Sequence, residues 1–259
     1  MEFLNKSFLQ TSTQIAVGSN SLLADRIMSR DATKQYFSSG YNSDSLTASI
    51  TITFDTTQSV SRLALAGLNL KEFSIFYNGV TANTFALTST GATTTSSWNA
   101  NSETAMFLTC TPVTNVTSIT IDMKKTQVAN AEKAIGYLYI GSQLLDFERI
   151  PAASQFTPKI DSEEIVHKMS DGGTKINVKD RKHVVDIKFK YVSRTFRDSL
   201  YDVYTTDDEF AFVAFPTTTA WDEIMFPCVW EGDFDFHKYS DNNPGAGFDG
   251  MIRLRETPT

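Results

Sequence analysis

Short runs of alternating apolar and polar residues dominate the first half of the chain. In residues 50–54 isoleucine and phenylalanine alternate with threonine, and residues 73, 75 and 77 repeat this pattern before an Asn-Gly pair. A period of two places the apolar residues on one face of a strand, and Asn-Gly favours a tight turn because both residues tolerate positive φ. Residues 135–140 are apolar on both faces apart from one glycine, which predicts a central strand. Such short strands predict a β-sandwich.

The second half is also predicted to consist mostly of strands, and its alternation is sharper. Residues 185–191 place valine, isoleucine and aromatic side chains on one face and aspartate and lysine on the other. Residues 210–215 are apolar on both faces, which predicts a fully covered strand. Alternation returns in residues 226–236, and residues 251–255 are predicted to form the last strand.

Two segments show a helical period instead. Leu22, Leu23 and Ile27 lie on one side of a helix, so a short helix is predicted at 20–28. Ser193 is followed by apolar residues at helical spacing, and a serine hydroxyl can accept a hydrogen bond from an otherwise unpaired amide at a helix N-terminus. The sequence predicts one amphipathic helix there, packed on the sheet of the second half.

The composition changes near the middle of the chain. The chain is rich in serine and threonine through about residue 130, whereas charged and aromatic residues become frequent from about residue 157. Two prolines bracket small residues in between, which predicts an extended linker because proline fixes φ and disfavours helix before it. We therefore expect one domain at 1–147, a linker at 148–158, and a β-domain at 159–259 whose helix spans about 193–204.

The charge balance and the cysteines exclude several function classes. The 259 residues include 23 Lys and Arg against 30 Asp and Glu, a net charge of −7. An acidic chain disfavours nucleic-acid binding, which needs clustered cations, and no apolar run approaches the ~20 residues that span a bilayer. The N-terminus, with an acid at position 2, is a poor secretory signal. Cys110 and Cys228 fall in different expected domains, which predicts no disulfide framework and synthesis in a reducing compartment.

Three groups of residues could carry catalysis or metal binding. Two carboxylates and an imidazole alternate with phenylalanine in Asp233–His237 and could hold a divalent ion, but a solvated strand face is the simpler interpretation. Asp171-Gly172-Gly173 resembles part of a phosphate loop but completes neither phosphate motif, so a tight turn is the simpler interpretation. The two thiols lie in apolar strand patterns without a neighbouring base, and we expect them to be buried and inert.

No catalytic motif accompanies these groups. The chain has three histidines, and no GxSxG, HExxH or CxxC spacing occurs in it. We therefore expect no enzyme activity, no catalytic residue, no cofactor and no bound metal.

A sugar-binding surface is a further candidate site. Such surfaces combine exposed aromatic rings with planar polar groups on loops. Tyr36, Phe37, Tyr41 and Trp98 lie in polar, loop-like surroundings and are candidate contacts for a glycan or a protein partner. Aromatic residues of β-domains also serve in cores and interfaces, so both interpretations stay open.

The segment Ser29–Ser39 resembles the Asp-x-x-Thr-x-x-Trp-x-Ser signature of discoidin-like jelly rolls, also called coagulation factor 5/8 type C or galactose-binding-like domains. Asp31 and Thr33 fall near that pattern, and Tyr36 or Phe37 replaces the usual tryptophan. The strand that follows and the late apolar run up to residue 141 are similar to strands of that family. The resemblance covers about residues 15–147 and implies a jelly-roll sandwich, but neither a ligand loop nor a calcium loop of the family is evident.

The order of segments resembles the tail-tip proteins of tailed bacteriophages. A jelly roll, a proline-containing linker, the segment Met169–Thr174 and an alternating strand occur in that order. In those proteins a tail-tube or distal-tail type of β-sandwich carries a strand–helix–strand unit like residues 184–215. The resemblance implies a ring-shaped homo-oligomer (a hexamer), contacts with tail tube, hub or fibre proteins, synthesis in the host cytoplasm and a place in the virion tail.

The expected fold is therefore mainly β, a discoidin-like jelly-roll sandwich followed by a distal-tail-like β-sandwich with one helix. The expected function is that of a structural subunit of a phage tail tip or baseplate, which forms a ring and joins the tube to tip or fibre proteins. The alternative is a carbohydrate-binding protein whose jelly roll contacts a cell-surface glycan. An enzyme accessory module is a third interpretation. Fold alone does not decide among these, because function depends on the sites that a fold carries.

Overall fold

The computed structural model confirms a mainly β chain, and its described residues include one α-helix. The structure describes residues 1–29, 34–85, 104–168, 174–206, 208–214, 225–239 and 247–257. No helix in these ranges has both the length and the apolar character needed to cross a bilayer. The strands are β1 (Glu2–Leu4), β2 (Ser12–Val17), β3 (Tyr36–Phe37), β4 (Ala48–Ala66), β5 (Leu70–Tyr77), β6 (Ala105–Thr126), β7 (Ala134–Ile135), β8 (Tyr137–Gly141), β9 (Gln143–Asp146), β10 (Phe156–Lys168), β11 (Thr174–Val192), β12 (Phe210–Val213), β13 (Met225–Lys238) and β14 (Phe248–Glu256). Within the same ranges the helices are α1 (Arg194–Thr205) and three 3₁₀ helices at Phe8–Thr11, Ser21–Met28 and Ala153–Gln155.

The chain divides into two compact units. The terminal unit comprises Met1–Phe3, Leu145–Phe212 and Phe226–Pro258, and the middle unit comprises Leu4–Leu144, Val213–Met225 and Thr259. The first strand, β1, lies between β12 and β9 in the sheet of the terminal unit, although the sequence pattern grouped all of residues 1–147 together. This pairing joins distant parts of the sequence, so no local pattern predicts it.

The middle unit is built on a sheet with the strand order β2-β4-β6-β5, and β8 also pairs with β4. The long strand β4 pairs along one edge with β2 and then with β8, and along its other edge with β6, always antiparallel. Ile50, Ile52 and Phe54 of β4 are buried, as the alternation predicts. They belong to one apolar core with Tyr36 of β3 and Ile135 of β7, which form a separate two-stranded ladder.

Glycines shape two places in the middle unit. The predicted turn forms at Asn78 and Gly79, whose φ angles are 55° and 68°. The apolar run 135–140 is fully buried, as expected of a central segment, but Gly136 separates it into β7 and β8. A Cβ atom on Gly67 would lie 2.9 Å from the Cα atom of Gly136, so the two backbones approach closely only because both residues lack a side chain.

The predicted helix at 20–28 forms as a 3₁₀ helix, Ser21–Met28. With about three residues per turn, residues three apart share a face, and accordingly Ala24 and Ile27 are buried. Leu22 is 95% exposed, so the prediction that it lies on the same side as Ile27 is wrong. The prediction assumed the period of an α-helix, which this segment does not adopt.

The terminal unit is built on a seven-stranded sheet with the order β10-β11-β14-β13-β12-β1-β9. Val185, Ile187 and Phe189 are buried on one face of β11, as predicted. Tyr191 departs from the predicted face and is about half exposed. Its φ of 58° interrupts the extended backbone, and the register between β11 and β14 shifts before Val192.

Helix α1 confirms the predicted amphipathic helix. The Ser193 hydroxyl accepts a 3.1 Å hydrogen bond from the backbone amide of Phe196, which caps the N-terminus. Phe196, Leu200 and Val203 are buried at the predicted spacing. The aromatic side chains of Phe147 and Phe189 pack on Phe196, so the helix covers the apolar face of the sheet.

Ion pairs connect four strands of the same sheet. Asp186 of β11, which is buried, accepts hydrogen bonds from Arg253 Nε of β14 at 2.6 Å and from Lys159 Nζ of β10 at 2.7 Å. Arg255 Nε donates to Glu231 of β13 at 2.9 Å. The polar face of this sheet is thus tied across β10, β11, β14 and β13 by charged side chains.

Candidate functional site

The strand β3 presents its two aromatic residues to opposite sides. Tyr36 pairs with Ile135 and Phe37 with Ala134 in the β3–β7 ladder. Because successive side chains of a strand alternate, only one of the two rings can enter the core. Tyr36 is fully buried and Phe37 is 37% exposed, so Phe37 is the ring that faces solvent.

The burial of Tyr36 corrects the prediction that its ring is a surface contact. Its hydroxyl donates a 2.8 Å hydrogen bond to the backbone oxygen of Ser19. Burial raises the pKa of the Tyr36 phenol, the Ser19 hydrogen bond opposes that effect, and the nearby Tyr41 adds to it. The phenol is therefore a neutral core group, and its polar tip fixes the segment before the Ser21–Met28 helix to β3.

Polar side chains fix the backbone that carries the exposed Phe37 ring. The side-chain amide of Asn20 donates a 2.9 Å hydrogen bond to the backbone oxygen of Phe37. The Ser19 hydroxyl accepts a 2.9 Å hydrogen bond from the backbone amide of Ser39. A guanidinium nitrogen of Arg26 lies 3.5 Å from the backbone oxygen of Gln35, which precedes β3. We call Asn20, Arg26, Phe37 and Ser39, all exposed, the Phe37 corner.

Local conformation explains how Asn20 reaches β3. Asn20 adopts the left-handed conformation, with a φ of 58° and a ψ of 45°, directly before the 3₁₀ helix. Asparagine tolerates this region better than most residues, because its short polar side chain can form local hydrogen bonds. The turn reverses the chain beside β3, and the amide meets the Phe37 carbonyl 17 residues later.

The other predicted contacts differ in placement. Tyr41 is partly buried and packs against the apolar core, and its hydroxyl lies near Gly18. The structure therefore brings Tyr36, Phe37 and Tyr41 into one region, but only Phe37 presents an exposed ring. Trp98 lies outside the described residues, as do Asp31 and Thr33 of the signature segment.

A buried lysine holds the loop that follows β3. The Nζ atom of Lys133 donates hydrogen bonds of 2.7 and 3.1 Å to the backbone oxygens of Tyr41 and Ser43. The Lys133 backbone amide also meets the Ser38 hydroxyl at 3.0 Å. Asp44 accepts from the Thr126 hydroxyl at 3.2 Å. These contacts fix the loop at Ser38, Tyr41, Ser43 and Asp44, directly after the Phe37 strand.

Sequence reasoning did not identify Asn20, Arg26, Ser39 or Lys133. A lone asparagine before a helix is a local signal for a left-handed turn, and this could have been read from the sequence. The partners of these side chains are up to 92 residues away, and no periodicity encodes such distances. The site therefore forms only when distant segments of the chain come together in the fold.

The carboxylate and imidazole group of β13 forms a pair. Asp235 Oδ1 lies 3.0 Å from His237 Nδ1, and both side chains are more than 70% exposed. They line an open cleft of about 470 Å³ together with Glu231, Asp233 and Arg253. Within the described part of the chain, no three His, Cys, Asp or Glu side chains come together in a way that could hold a metal ion. The solvated strand face thus accounts for this group, and Asp171–Gly173 lies outside the described residues.

Aromatic rings form a row in the terminal unit. Phe236 stacks on Phe234 at 4.8 Å between ring centroids, and Phe234 contacts Trp230 at 5.8 Å. Tyr204 of α1 packs on Trp230 at 5.4 Å. A cleft of about 430 Å³ opens beside Tyr204 and Trp230, next to Gly232. The indole nitrogen of Trp230 is itself buried and meets no acceptor among the described residues, so the row acts as packing between α1 and β13.

Neither Cys110 nor Cys228 forms a disulfide, and both are buried. Burial raises the pKa of the Cys110 thiol to about 11, although the Arg62 charge opposes that effect. A thiol with so high a pKa is almost entirely protonated near neutral pH, and the thiolate is the reactive form. The structure thus confirms that both thiols are buried, and the high pKa of Cys110 favours an unreactive thiol.

No family model matches the chain, and no curated protein matches it. Similar solved structures include chitosan-binding module 1 of a chitosanase/glucanase from Paenibacillus sp. IK-5, with 11% identity and a TM-score of 0.39 over 52% of this chain and 98% of that one. A pectin binding carbohydrate binding module has 23% identity and a TM-score of 0.36 over 51% of this chain and 91% of that one. CpGH89CBM32-5 from Clostridium perfringens, in complex with GalNAc-β-1,3-galactose, has 10% identity and a TM-score of 0.40 over 53% of this chain and all of that one. These neighbours are carbohydrate-binding modules by name, and each is similar to about half of the chain.

Proposed function

We propose that the middle unit binds a carbohydrate at the Phe37 corner. The observation that carries this proposal is an exposed aromatic ring, Phe37, on backbone that hydrogen bonds with the side chains of Asn20, Arg26 and Ser19 hold in place. A pyranose ring has an apolar C–H face and a rim of hydroxyl groups. The Phe37 ring suits the face, and the other exposed side chains of the Phe37 corner suit the rim, because they carry hydrogen-bond donors and acceptors.

The fixed backbone favours binding. Phe37 is held by the β3–β7 ladder on one side and by the Asn20 amide on the other. A ring on preordered backbone loses little conformational freedom when a ligand stacks on it, so more of the contact energy appears as affinity. The corner is open and small, which suits a terminal sugar or a short stretch of a glycan chain.

Glycan-array binding of the purified chain, followed by calorimetric titration with the best ligand, tests this proposal. Phe37→Ala is expected to abolish binding and Phe37→Trp to preserve it, since the larger ring still offers a stacking face. Asn20→Gly removes the amide but accepts the left-handed backbone, and we expect weaker binding. Val80→Ala is the matched control, because Val80 is an exposed apolar residue of the same unit away from the corner.

Two outcomes would contradict the glycan proposal. One is a folded protein that gives no signal on a broad array, and the other is binding that survives Phe37→Ala unchanged. Trp98→Ala belongs in the same series, because Trp98 was predicted as a contact from its sequence surroundings. If Trp98→Ala abolished binding and Phe37→Ala did not, the glycan would bind near Trp98 and not at the Phe37 corner. Tyr36→Ala is unsuitable as a test, since it removes a core side chain.

As a second candidate, we propose that the terminal unit is an architectural subunit of a phage tail tip or baseplate, which assembles into a ring and contacts tube, hub or fibre proteins. The observation that favours it is the antiparallel pair of β10 and β11, which continues well beyond the part of β11 that pairs with β14. In this proposal the chain is made in the host cytoplasm, is part of the virion and has no enzyme activity. Immunogold labelling of purified particles at the tail tip tests it, and absence of the chain from particles contradicts it.

A further inference from the structure

Tyr191 and Tyr239 form an exposed aromatic pair in the terminal unit. Their ring centroids lie 4.2 Å apart, with an angle of 56° between the ring planes. Tyr191 is 45% exposed and Tyr239 is 52% exposed. All nine tyrosines of the chain lie in the described ranges, and among them only these two and Tyr201 are exposed. Both rings of the pair are therefore accessible to small reagents in solvent.

A bulge in β11 gives the Tyr191 ring its exposed position. The pairing of β11 with β14 passes from Phe189 opposite Gly250 to Val192 opposite Phe248, so β11 has one extra residue in this interval. Tyr191, within the interval, has the positive φ of 58°. A bulge redirects a side chain of the strand that contains it, and the Tyr191 ring accordingly does not follow Phe189 into the core.

The two tyrosines are anchored to the same short segment of the chain. The backbone amide of Tyr191 donates a 2.8 Å hydrogen bond to Asp249 Oδ1. The backbone amide of Tyr239 donates a 2.9 Å hydrogen bond to the backbone oxygen of Gly247. Each tyrosine is thus fixed to the beginning of β14, the strand that lies between β11 and β13 in the sheet. The pair is a feature of the folded sheet, because the two residues are distant in the sequence.

The phenol groups of the pair also contact each other. The pKa of Tyr191 is raised, first by a hydrogen bond with the Tyr239 side chain and then by burial and by the charges of Tyr239 and Asp249. Since the hydroxyl groups meet and the ring centroids are 4.2 Å apart, the ring carbons ortho to the two hydroxyl groups lie near each other. The ortho carbons of a tyrosyl radical carry much of its unpaired electron, and two such radicals couple there.

We propose that Tyr191 and Tyr239 are an oxidative crosslinking site, which a one-electron oxidant such as a peroxidase with hydrogen peroxide converts to dityrosine. Each phenol gives one electron to the oxidant and its hydroxyl proton to water, and a bond forms between one ortho carbon of each ring. The hydrogen atoms on these two carbons then move to the oxygens, which restores both phenols. One hydrogen peroxide takes up the two electrons and two protons and becomes two water molecules.

The crosslink would join β11 to β13 across β14. It would close residues 191–239 into a covalent loop that contains α1, β12 and β13. Such a link lowers the entropy of the unfolded chain, and this effect increases with the length of the loop. Because the fold already holds the two rings together, coupling within one chain is favoured over coupling between chains. We therefore expect a more stable terminal unit, independently of glycan binding and of assembly.

Oxidation of the full chain at low protein concentration tests the proposal, once with peroxidase and hydrogen peroxide and once with persulfate and a photosensitiser. We expect dityrosine fluorescence in a single chain that has lost two hydrogen atoms. Trypsin cleaves before both tyrosines, after Lys190 and Lys238, so residues 191–194 should be recovered joined to residues 239–253. Urea unfolding of the crosslinked chain should have a higher midpoint than unfolding of the untreated chain.

Tyr191→Phe and Tyr239→Phe each keep an aromatic ring but cannot form the phenoxyl radical, and each is expected to abolish the crosslink. Tyr201→Phe is the matched control, because Tyr201 is similarly exposed and its ring centroid lies 6.3 Å from that of Tyr204. This variant should crosslink like the unaltered chain.

Three results would overturn the crosslinking site. One is the absence of the joined peptides with both oxidants, a second is dityrosine within single chains of both the Tyr191→Phe and the Tyr239→Phe variant, and a third is dityrosine that joins only separate chains. A crosslink that leaves the urea midpoint unchanged would overturn its stabilising effect.

Discussion

The ammonium group of Lys133 and the backbone oxygen of Tyr41 form a 2.7 Å hydrogen bond between residues that are 92 positions apart. Lys133 has no exposed surface, and its second hydrogen bond reaches the backbone oxygen of Ser43. Burial lowers the pKa of Lys133, and the negative charge of Asp44 offsets part of that effect. This buried cation donates to two backbone oxygens of the loop after β3, and it thereby fixes that loop.

Replacement of Lys133 by methionine should destabilise the middle unit. The variant keeps most of the side-chain volume but leaves two backbone oxygens without their donor, so we expect a loss of about 2–4 kcal/mol in the free energy of unfolding. Urea denaturation measures the loss. Lys125→Met is the control, because Lys125 is half exposed and pairs with Glu72 at the surface, where ion pairs contribute little. Equal stability of the two variants would show that the Lys133 contacts do not hold the fold.

The stability of the terminal unit should decrease in acid through Asp186. The Arg253 hydrogen bond, and then that of Lys159, holds the pKa of this carboxyl below its ordinary value. Since the folded-state pKa is the lower one, the stabilisation is complete above the unfolded-state pKa of ~4 and is lost as the pH falls through the folded-state value. Asp186→Asn should therefore lower stability at pH 7 by about 1–3 kcal/mol and flatten the acid dependence.

Denaturant unfolding at neutral and acidic pH, followed by tryptophan fluorescence, measures the Asp186 effect. Asp235→Asn serves as the control on β13, because Asp235 is mostly exposed and pairs with His237 in solvent. We expect that control to unfold like the unaltered chain at pH 7. An Asp186→Asn variant with the same acid dependence as the unaltered chain would contradict the assignment.

Gly67 and Gly79 should respond differently to alanine. Both have positive φ, 64° and 68°, so either substitution strains the backbone by about 1–2 kcal/mol. A Cβ on Gly67 would also lie 2.9 Å from the Cα of Gly136, whereas a Cβ on Gly79 meets nothing within 4 Å. Gly67→Ala should therefore cost about 1–3 kcal/mol more than Gly79→Ala in urea unfolding. Equal losses would mean that the Gly67 and Gly136 backbones can move apart freely.

Cys110 should resist thiol reagents in the folded chain. Burial raises its pKa to about 11, so little thiolate is present at pH 8. A Cys228→Ala variant leaves Cys110 as the single thiol, and its labelling by Ellman's reagent should be slow until urea unfolds the middle unit. A separate Cys110→Ala variant keeps only Cys228, and its labelling rate is the control for that thiol. Fast labelling of native Cys110 would indicate local opening between β4 and β6.

The elements that the sequence predicted best are those whose burial follows a local period. Residues 50–54 of β4, the alternating part of β11 and the capped helix α1 all place their apolar side chains on one face, so a short stretch is enough to identify them. The prediction from the helical period was wrong for Leu22, because Ser21–Met28 is a 3₁₀ helix and not an α-helix, and Leu22 is exposed to solvent. The face predicted for Tyr191 was also wrong, because a positive φ at this residue interrupts the strand.

The candidate site was predicted only in part. Adjacent aromatic residues in polar surroundings drew attention to β3, but sequence alone could not decide which of Tyr36 and Phe37 faces the core. That choice depends on the pairing of β3 with β7, about 100 residues later. The polar partners of Phe37 likewise come from the turn at Asn20, so they became evident only when the two segments were placed side by side.

The sequence by itself determined the mainly β class, the amphipathic helix and its cap, and the Asn78-Gly79 turn. These properties depend on side-chain period, backbone preference and residue type, which neighbouring positions encode. The tertiary structure decided that β1 joins the sheet of the terminal unit, that Lys133 is buried against backbone oxygens, and that Phe37 rather than Tyr36 is exposed. Each of these depends on contacts between distant segments, whose geometry is fixed only when the sheets and cores have formed.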